Sequence, residues 1–220
     1  MKKLIILFGV LFSVNAVFAQ GYKPVKIDNL VTISMPSNYS KKDTLGQHIY
    51  SANTDFGYMM AIVEPNAKNN KPLKKEKDLN GVLKTYVQGI QRQSGNGSAQ
   101  NVRDTTVGTL KAKAFTLVTD DGAGNVANRN FVLIYTTDAT YTLEYGYPDI
   151  RKDIIKDEAK AYFGSIKLSP ELQRNDQYTD TAASSSGMST NVIIEIVGGI
   201  LVVFIVVWLI FFRSRRNELA

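Results

Sequence analysis

The chain has 220 residues, a formal net charge of +6, one histidine and no cysteine. Without cysteine there is no disulfide, no thiol catalysis, no zinc–thiolate site and no lipidated N-terminal Cys. With His48 as the sole histidine and no Gly-x-Ser-x-Gly elbow, neither a Ser-His hydrolase nor a histidine-rich metal site has its parts.

Residues 1–19 read as a cleavable signal peptide. Lys2 and Lys3 make a positive n-region, residues 4–12 an apolar block, and Val17 and Ala19 are the small residues that place cleavage before Gln20. The block is shorter than the roughly 20 residues a bilayer span needs.

Residues 20–169 read as one extracytoplasmic α+β domain, long enough to bury its own core. Alternation over residues 31–35, stopping at Pro36, predicts a strand with one buried face. A loop with Lys41, Lys42 and Asp43 follows. Residues 48–53 and 58–64 are β-prone runs joined by Thr54-Asp55-Phe56-Gly57, which suits a hairpin. Residues 65–72 form a solvated loop, and Lys71, Lys74, Lys75 and Lys77 make the densest basic patch of the domain. Such a patch is a solvated helix start or a contact for anionic headgroups or polyanionic envelope polymer.

Asp78 reads as an N-cap. Leu79, Val82, Leu83, Tyr86, Val87 and Ile90 then form one apolar helical stripe, closed by the turn at residues 93–98. Four β-prone runs follow at 102–107, 111–119, 125–136 and 140–147. Their links are too short for parallel crossovers, so the runs form an antiparallel meander. Asp120 and Asp121 lie in an Asp-Asp-Gly-Ala-Gly turn without the spacing of a calcium loop. After Pro148, Ile150, Ile154, Ile155, Ala159, Tyr162, Phe163 and Ile166 mark a second amphipathic helix. The expected architecture is an antiparallel meander covered by two amphipathic helices, followed by a single transmembrane helix.

Composition turns to Ser, Thr, Asp, Gln and Ala over residues 170–191, which reads as a flexible polar stalk. Residues 192–212 are an apolar run that covers about 30 Å of hydrocarbon as a helix. Arg213, Arg215 and Arg216 follow at once, so residues 213–220 read as a cytoplasmic tail with the domain outside. Glu195 is the only charge within the span. Lying in its first outer turn, it snorkels to headgroup water or makes an intramembrane contact with a partner.

The basic excess belongs to the ends. Setting aside Lys2, Lys3, Arg213, Arg215 and Arg216 from 26 basic residues, and Glu195 and Glu218 from 20 acidic ones, leaves 21 against 18 between residues 20 and 191. That balance does not suggest a nucleic-acid partner. No catalytic set, cofactor site or metal site emerges. The candidate ligand or partner surface is Tyr141, Tyr145 and Tyr147, whose odd numbering puts them on one face of a strand: cross-strand packing under a helix, or a tyrosine-lined groove.

The element order resembles the Mog1/PsbP-like fold, including the extracytoplasmic DcrB-like bacterial proteins. The likeness rests on the strand ending at Pro36, the helix over residues 79–92 after the first hairpin, the long meander, and the C-terminal helix running into Phe163-Gly164-Ser165-Ile166-Lys167-Leu168. It implies a non-enzymatic binding or accessory domain that assists a larger complex, and it transfers no individual functional residue; the tether and stalk point to an envelope assembly as that complex. The expected protein is therefore a single-pass protein of the cell membrane, its domain on the periplasmic face of a bacterial inner membrane, with an envelope protein as partner and a small ligand or lipid as the alternative.

Overall fold

The computed structural model describes residues 21–67 and 72–179. Strand pairing begins with β1 (Tyr22–Lys26) and β2 (Val31–Pro36), turned by Asp28, whose Oδ1 accepts from Leu30 N and Val31 N at 2.8 and 2.7 Å. Then come β3 (Ser40–Thr44), β4 (Gln47–Asn53) and β5 (Tyr58–Pro65), antiparallel throughout. Helix α1 (Glu76–Gln93) leads to the meander β6 (Ser98–Val107), β7 (Leu110–Asp120), β8 (Val126–Tyr135) and β9 (Ala139–Pro148). Helix α2 (Lys156–Gly164) and the short β10 (Lys167–Leu168) end the regular elements.

The strands make two sheets. Seven run β3-β4-β5-β9-β8-β7-β6, and three run β1-β2-β10. The last strand of the meander, β9, inserts beside β5 with Ala61 opposite Leu143, joining the early hairpin to the meander. Because side chains alternate across a pleat, the large sheet buries two different sets. On one face Phe115, Leu117, Phe131, Leu133 and Tyr135 meet the stripe of α1 from Leu79 to Ile90. On the other, Ala61, Val63, Ala112, Ile134, Tyr141, Leu143 and Tyr145 meet Val25, Ile33 and Met35 of the small sheet and Ala159 and Tyr162 of α2. Phe115 and Phe131 stack at 4.6 Å between centroids across the β7–β8 pair.

The α+β class and the antiparallel meander are as expected, but the covering differs. The second face is covered largely by the small sheet, with α2 alongside, so the domain is a two-sheet sandwich bearing one helix outside. The stripe read from Ile150 onward does not form one helix. A 3-10 turn at Asp149–Arg151 precedes α2, and Ile150 and Ile154 point to solvent. Asp78 is in the first turn of α1, not at its cap; its Oδ2 accepts from Lys75 N at 3.1 Å.

The largest correction concerns the stalk. Residues 170–179 are not part of it: Leu172, Gln177 and Tyr178 are buried. The Gln177 side chain pairs with the start of β7 as a strand would, its Nε2 donating to Lys111 O at 2.7 Å and to Tyr135 O at 2.9 Å while its Oε1 accepts from Lys111 N at 2.8 Å. Thr179 N donates to Leu73 O at 2.8 Å. This arm packs Tyr178 against the α1 side of the large sheet, so the fold extends at least to Thr179. The signal peptide, residues 180–191 of the stalk, the span with Glu195, the tail and Lys71 lie outside the described residues. Among the described residues no helix is long and apolar enough to cross a membrane.

Candidate functional site

Tyr141, Tyr145 and Tyr147 do share one face, the one against the small sheet, but the first two are core. Tyr141 is 1% and Tyr145 0% exposed, with Tyr147 half-buried beside them. Their hydroxyls are committed as well. Tyr141 donates to Asp28 Oδ2 at 2.6 Å and Tyr145 to Glu158 Oε2 at 2.7 Å. Burial, reinforced for Tyr141 by the Asp28 hydrogen bond, holds both phenols above their ordinary range. The rings therefore do not line an open groove; they tie the β1–β2 turn and α2 to the large sheet.

Glu158 is the hub of a second set of contacts. It sits in the first turn of α2, where a carboxylate is favoured by the helix dipole, and besides Tyr145 it accepts from Thr54 Oγ1 at 3.3 Å and from the Tyr22 hydroxyl. It thus draws the start of β1, the β4–β5 turn and α2 together. Arg151 adds a further pin, its Nη1 donating to Asp55 O at 3.1 Å. Four of the six large apolar side chains exposed among the described residues belong to these same segments: Ile150 at 91%, Ile154 at 57%, Phe56 and Tyr22. Interleaved with Ile150 and Ile154 along the chain, Lys152 pairs with Asp149 at 3.5 Å and Lys156 with Asp153 at 3.0 Å. Exposed apolar groups gathered on pinned backbone and rimmed by charge are the composition of a protein-binding surface.

A buried ion pair lies behind this end of the sheet, on the face of α1. Arg129 and Glu144 meet bidentately, Nε to Oε1 at 2.6 Å and Nη2 to Oε2 at 2.7 Å, and the Tyr58 hydroxyl also donates to Glu144. Burial opposes the Arg129 charge, but the adjoining Glu144 carboxylate outweighs it and holds the guanidinium above its usual range. The Tyr58 ring reaches Glu144 by crossing Gly146, where a Cβ would fall 2.1 Å from a ring carbon. Packing this tight specifies one arrangement of β5, β8 and β9. It leaves the ion pair a structural role, since its charges face each other.

His48, on which any hydrolytic scheme depended, is exposed, with its Nδ1 2.7 Å from Asp43 Oδ1 across the β3–β4 hairpin. Among the described residues no three of His, Cys, Asp and Glu converge as metal ligands. Asp120 and Asp121 serve their own turn: Asp121 Oδ1 accepts from Ala123 N and Asn125 N at 2.9 and 3.1 Å.

No family model and no curated protein matches the chain. Solved structures do. It is similar to cyanobacterial PsbP (CyanoP) from Synechocystis sp. PCC 6803, at 11% identity and TM-score 0.48 over 68% of this chain and 93% of that one. It is similar to the Ran-binding protein Mog1p of Saccharomyces cerevisiae, at 11% identity and TM-score 0.43 over 67% and 95%. It is similar also to LpqN, involved in cell envelope biogenesis of Mycobacterium tuberculosis, at 13% identity and TM-score 0.42 over 68% and 91%. The resemblance read from element order thus meets PsbP and Mog1p among its structural neighbours. At these identities what the chain does is argued from its own residues.

The exposed patch was missed by sequence reasoning because Ile150 and Ile154 were absorbed into a helical stripe.

Proposed function

We propose that this chain is a membrane-anchored, extracytoplasmic binding domain, non-enzymatic, that engages a protein partner of a cell-envelope assembly through Ile150, Ile154, Phe56 and Tyr22. The observation that carries the reading is Ile150, 91% exposed on a turn that Arg151 pins to the β4–β5 loop. An apolar side chain held out on fixed backbone is preorganised for a pocket on a partner, because little chain entropy remains to be lost on binding. The anchor is supported by the sequence at both ends: the signal peptide of residues 1–19, and the apolar residues 192–212 followed by three arginines.

The position of the patch supports the same reading. Strand β9 runs from Ala139, next to the docked arm, to Pro148, beside the patch. At about 3.3 Å per residue, that separates the tether and the patch by roughly 30 Å. A tethered domain with its apolar surface at the far end presents that surface to a partner standing off the bilayer.

The test is photocross-linking in cells with the full chain, placing the cross-linker at Ile150, Ile154 or Phe56, and at Glu171 as a control at the tether end. A common partner captured from the first three and lost in Ile150→Asp is the expected result. Capture that is equal from Glu171, or absent from every patch position, would overturn the assignment.

A further inference from the structure

The docked arm runs to Thr179 beside the basic patch. Tyr178 forms a parallel bridge with Leu73, and Thr179 donates to the Leu73 carbonyl. Lys74, Lys75 and Lys77 follow immediately and are all exposed. None of the three enters a salt bridge among the described residues. The nearby carboxylates are engaged elsewhere. Glu76 takes Lys111 Nζ at 3.4 Å and the Tyr178 hydroxyl at 3.2 Å, Asp78 accepts from Lys75 N, and Asp176 Oδ2 accepts from Gln173 N at 2.7 Å. The lysine charges therefore face outward with local acids turned to internal donors.

We infer that the end of the domain bearing Lys74, Lys75 and Lys77 docks on an anionic bilayer surface, setting the domain upright on its own membrane. This rests on the membrane-anchored reading above. The occupant follows from the tether. Residues 180–191 are all that separate Thr179 from the apolar run at 192, and a polar linker of that length spans about 20 Å on average. The bilayer is the one large surface always within that reach. Charge attraction decays within about 8 Å at physiological ionic strength, so only the end of the domain at the tether can use it. Each lysine near an anionic surface is worth about a fivefold preference for the docked state.

The experiment uses the full chain in nanodiscs of phosphatidylcholine alone or with about a third phosphatidylglycerol. A fluorophore sits on a cysteine introduced at Glu171 near the exit, or at Ala123 at the far end, and is read against a headgroup-attached quencher. Docking predicts strong quenching at 171, little at 123, and loss of the 171 signal in phosphatidylcholine, in 0.5 M salt, and in the triple variant K74Q/K75Q/K77Q. Quenching at 171 indifferent to lipid charge, salt and the lysines overturns docking while leaving the anchor intact. A chain that does not enter nanodiscs at all, staying soluble without detergent, overturns the anchored reading and the docking with it. If quenching stays low in every lipid but rises on adding a polyanionic polysaccharide linked to the quencher, the patch serves a different partner and the inference fails.

Discussion

Replacing Gln177 with Ala isolates the contribution of the arm that carries the tether. The side chain is fully buried and makes three hydrogen bonds, two to Lys111 and one to Tyr135. Alanine leaves the Lys111 N–H and two carbonyls without these partners. An unsatisfied buried polar group costs about 1–3 kcal/mol. Lys111 is only partly buried and water recovers some of its share, so the total comes to about 3 kcal/mol. For a domain of this size each kcal/mol moves Tm by about 2–4 °C, which gives a drop of roughly 6–12 °C. The assay is thermal unfolding by circular dichroism of a fragment spanning residues 21–179, beside one ending at residue 169. The shorter fragment also loses Tyr178 from its core and should melt lower still, since removing a large aromatic costs about 3–5 kcal/mol. A shift under about 2 °C for Gln177→Ala, with the two fragments equally stable, would show that the arm is not docked and that the domain ends near residue 169.

Other consequences follow from the packed sites. Gly146→Ala places a methyl against the Tyr58 ring and should destabilise by about 1–3 kcal/mol; Tyr58→Leu in the same chain should recover part of the loss, and strict additivity in denaturant melts would refute the clash. Glu144→Gln leaves Arg129 without its carboxylate in a site 15% exposed and should cost about 3–5 kcal/mol, whereas converting both to apolar residues of similar volume should cost far less by the same melts. The raised phenols of Tyr58, Tyr141, Tyr145 and Tyr162 bind their protons more tightly folded than unfolded, chiefly because burial disfavours the phenolate. Their contribution is therefore complete below the ordinary value of 10 and is lost as pH climbs above it. Tyrosinate absorbance at 295 nm should rise in step with loss of ellipticity above that pH; ionisation of all tyrosines near 10 in a still-folded protein would contradict it.

What could be read from the sequence was whatever alternates. Strands β4, β5 and β7 to β9 carry apolar residues at the period of a half-buried element, and each was found within a residue; helix α1 shows its stripe as clearly, though its start lies three residues before the Leu79 that opens the stripe. β1 and β3 were not, for a physical reason: β1 buries only Val25, and β3, Ser-Lys-Lys-Asp-Thr, buries nothing. β3 exists because Leu45 and Gly46, both at positive φ, fold it back on β4, and its charges suit an exposed edge. The arm was misread because its anchors are a glutamine and a tyrosine in a polar stretch, and hydrogen bonding to a strand start leaves no trace in hydropathy. The tyrosine row shares one face of β9, as its odd numbering requires. Its occupancy was invisible, since Tyr141 finds its acceptor on Asp28, 113 residues away.

The two ends of the sheet divide the work on the proposed reading, and the division has a mechanical basis. Helix α1 begins next to the lysines and ends near the β7–β8 turn, and over its 18 residues, at about 1.5 Å each, it covers most of the length of the strands beneath it. Its buried stripe locks it to β6, β7 and β8, so the lysine end and the apolar end cannot move independently. A flexible tether alone would let the patch wander through every orientation, and a partner at fixed height would meet it rarely. A second weak contact at the lysine end removes most of those orientations before the partner arrives, raising effective concentration without adding any contact to the patch itself. The stalk and the lysines then act together: the stalk is long enough not to oppose docking, and the rigid sandwich carries the orientation set at one end to Ile150 at the other.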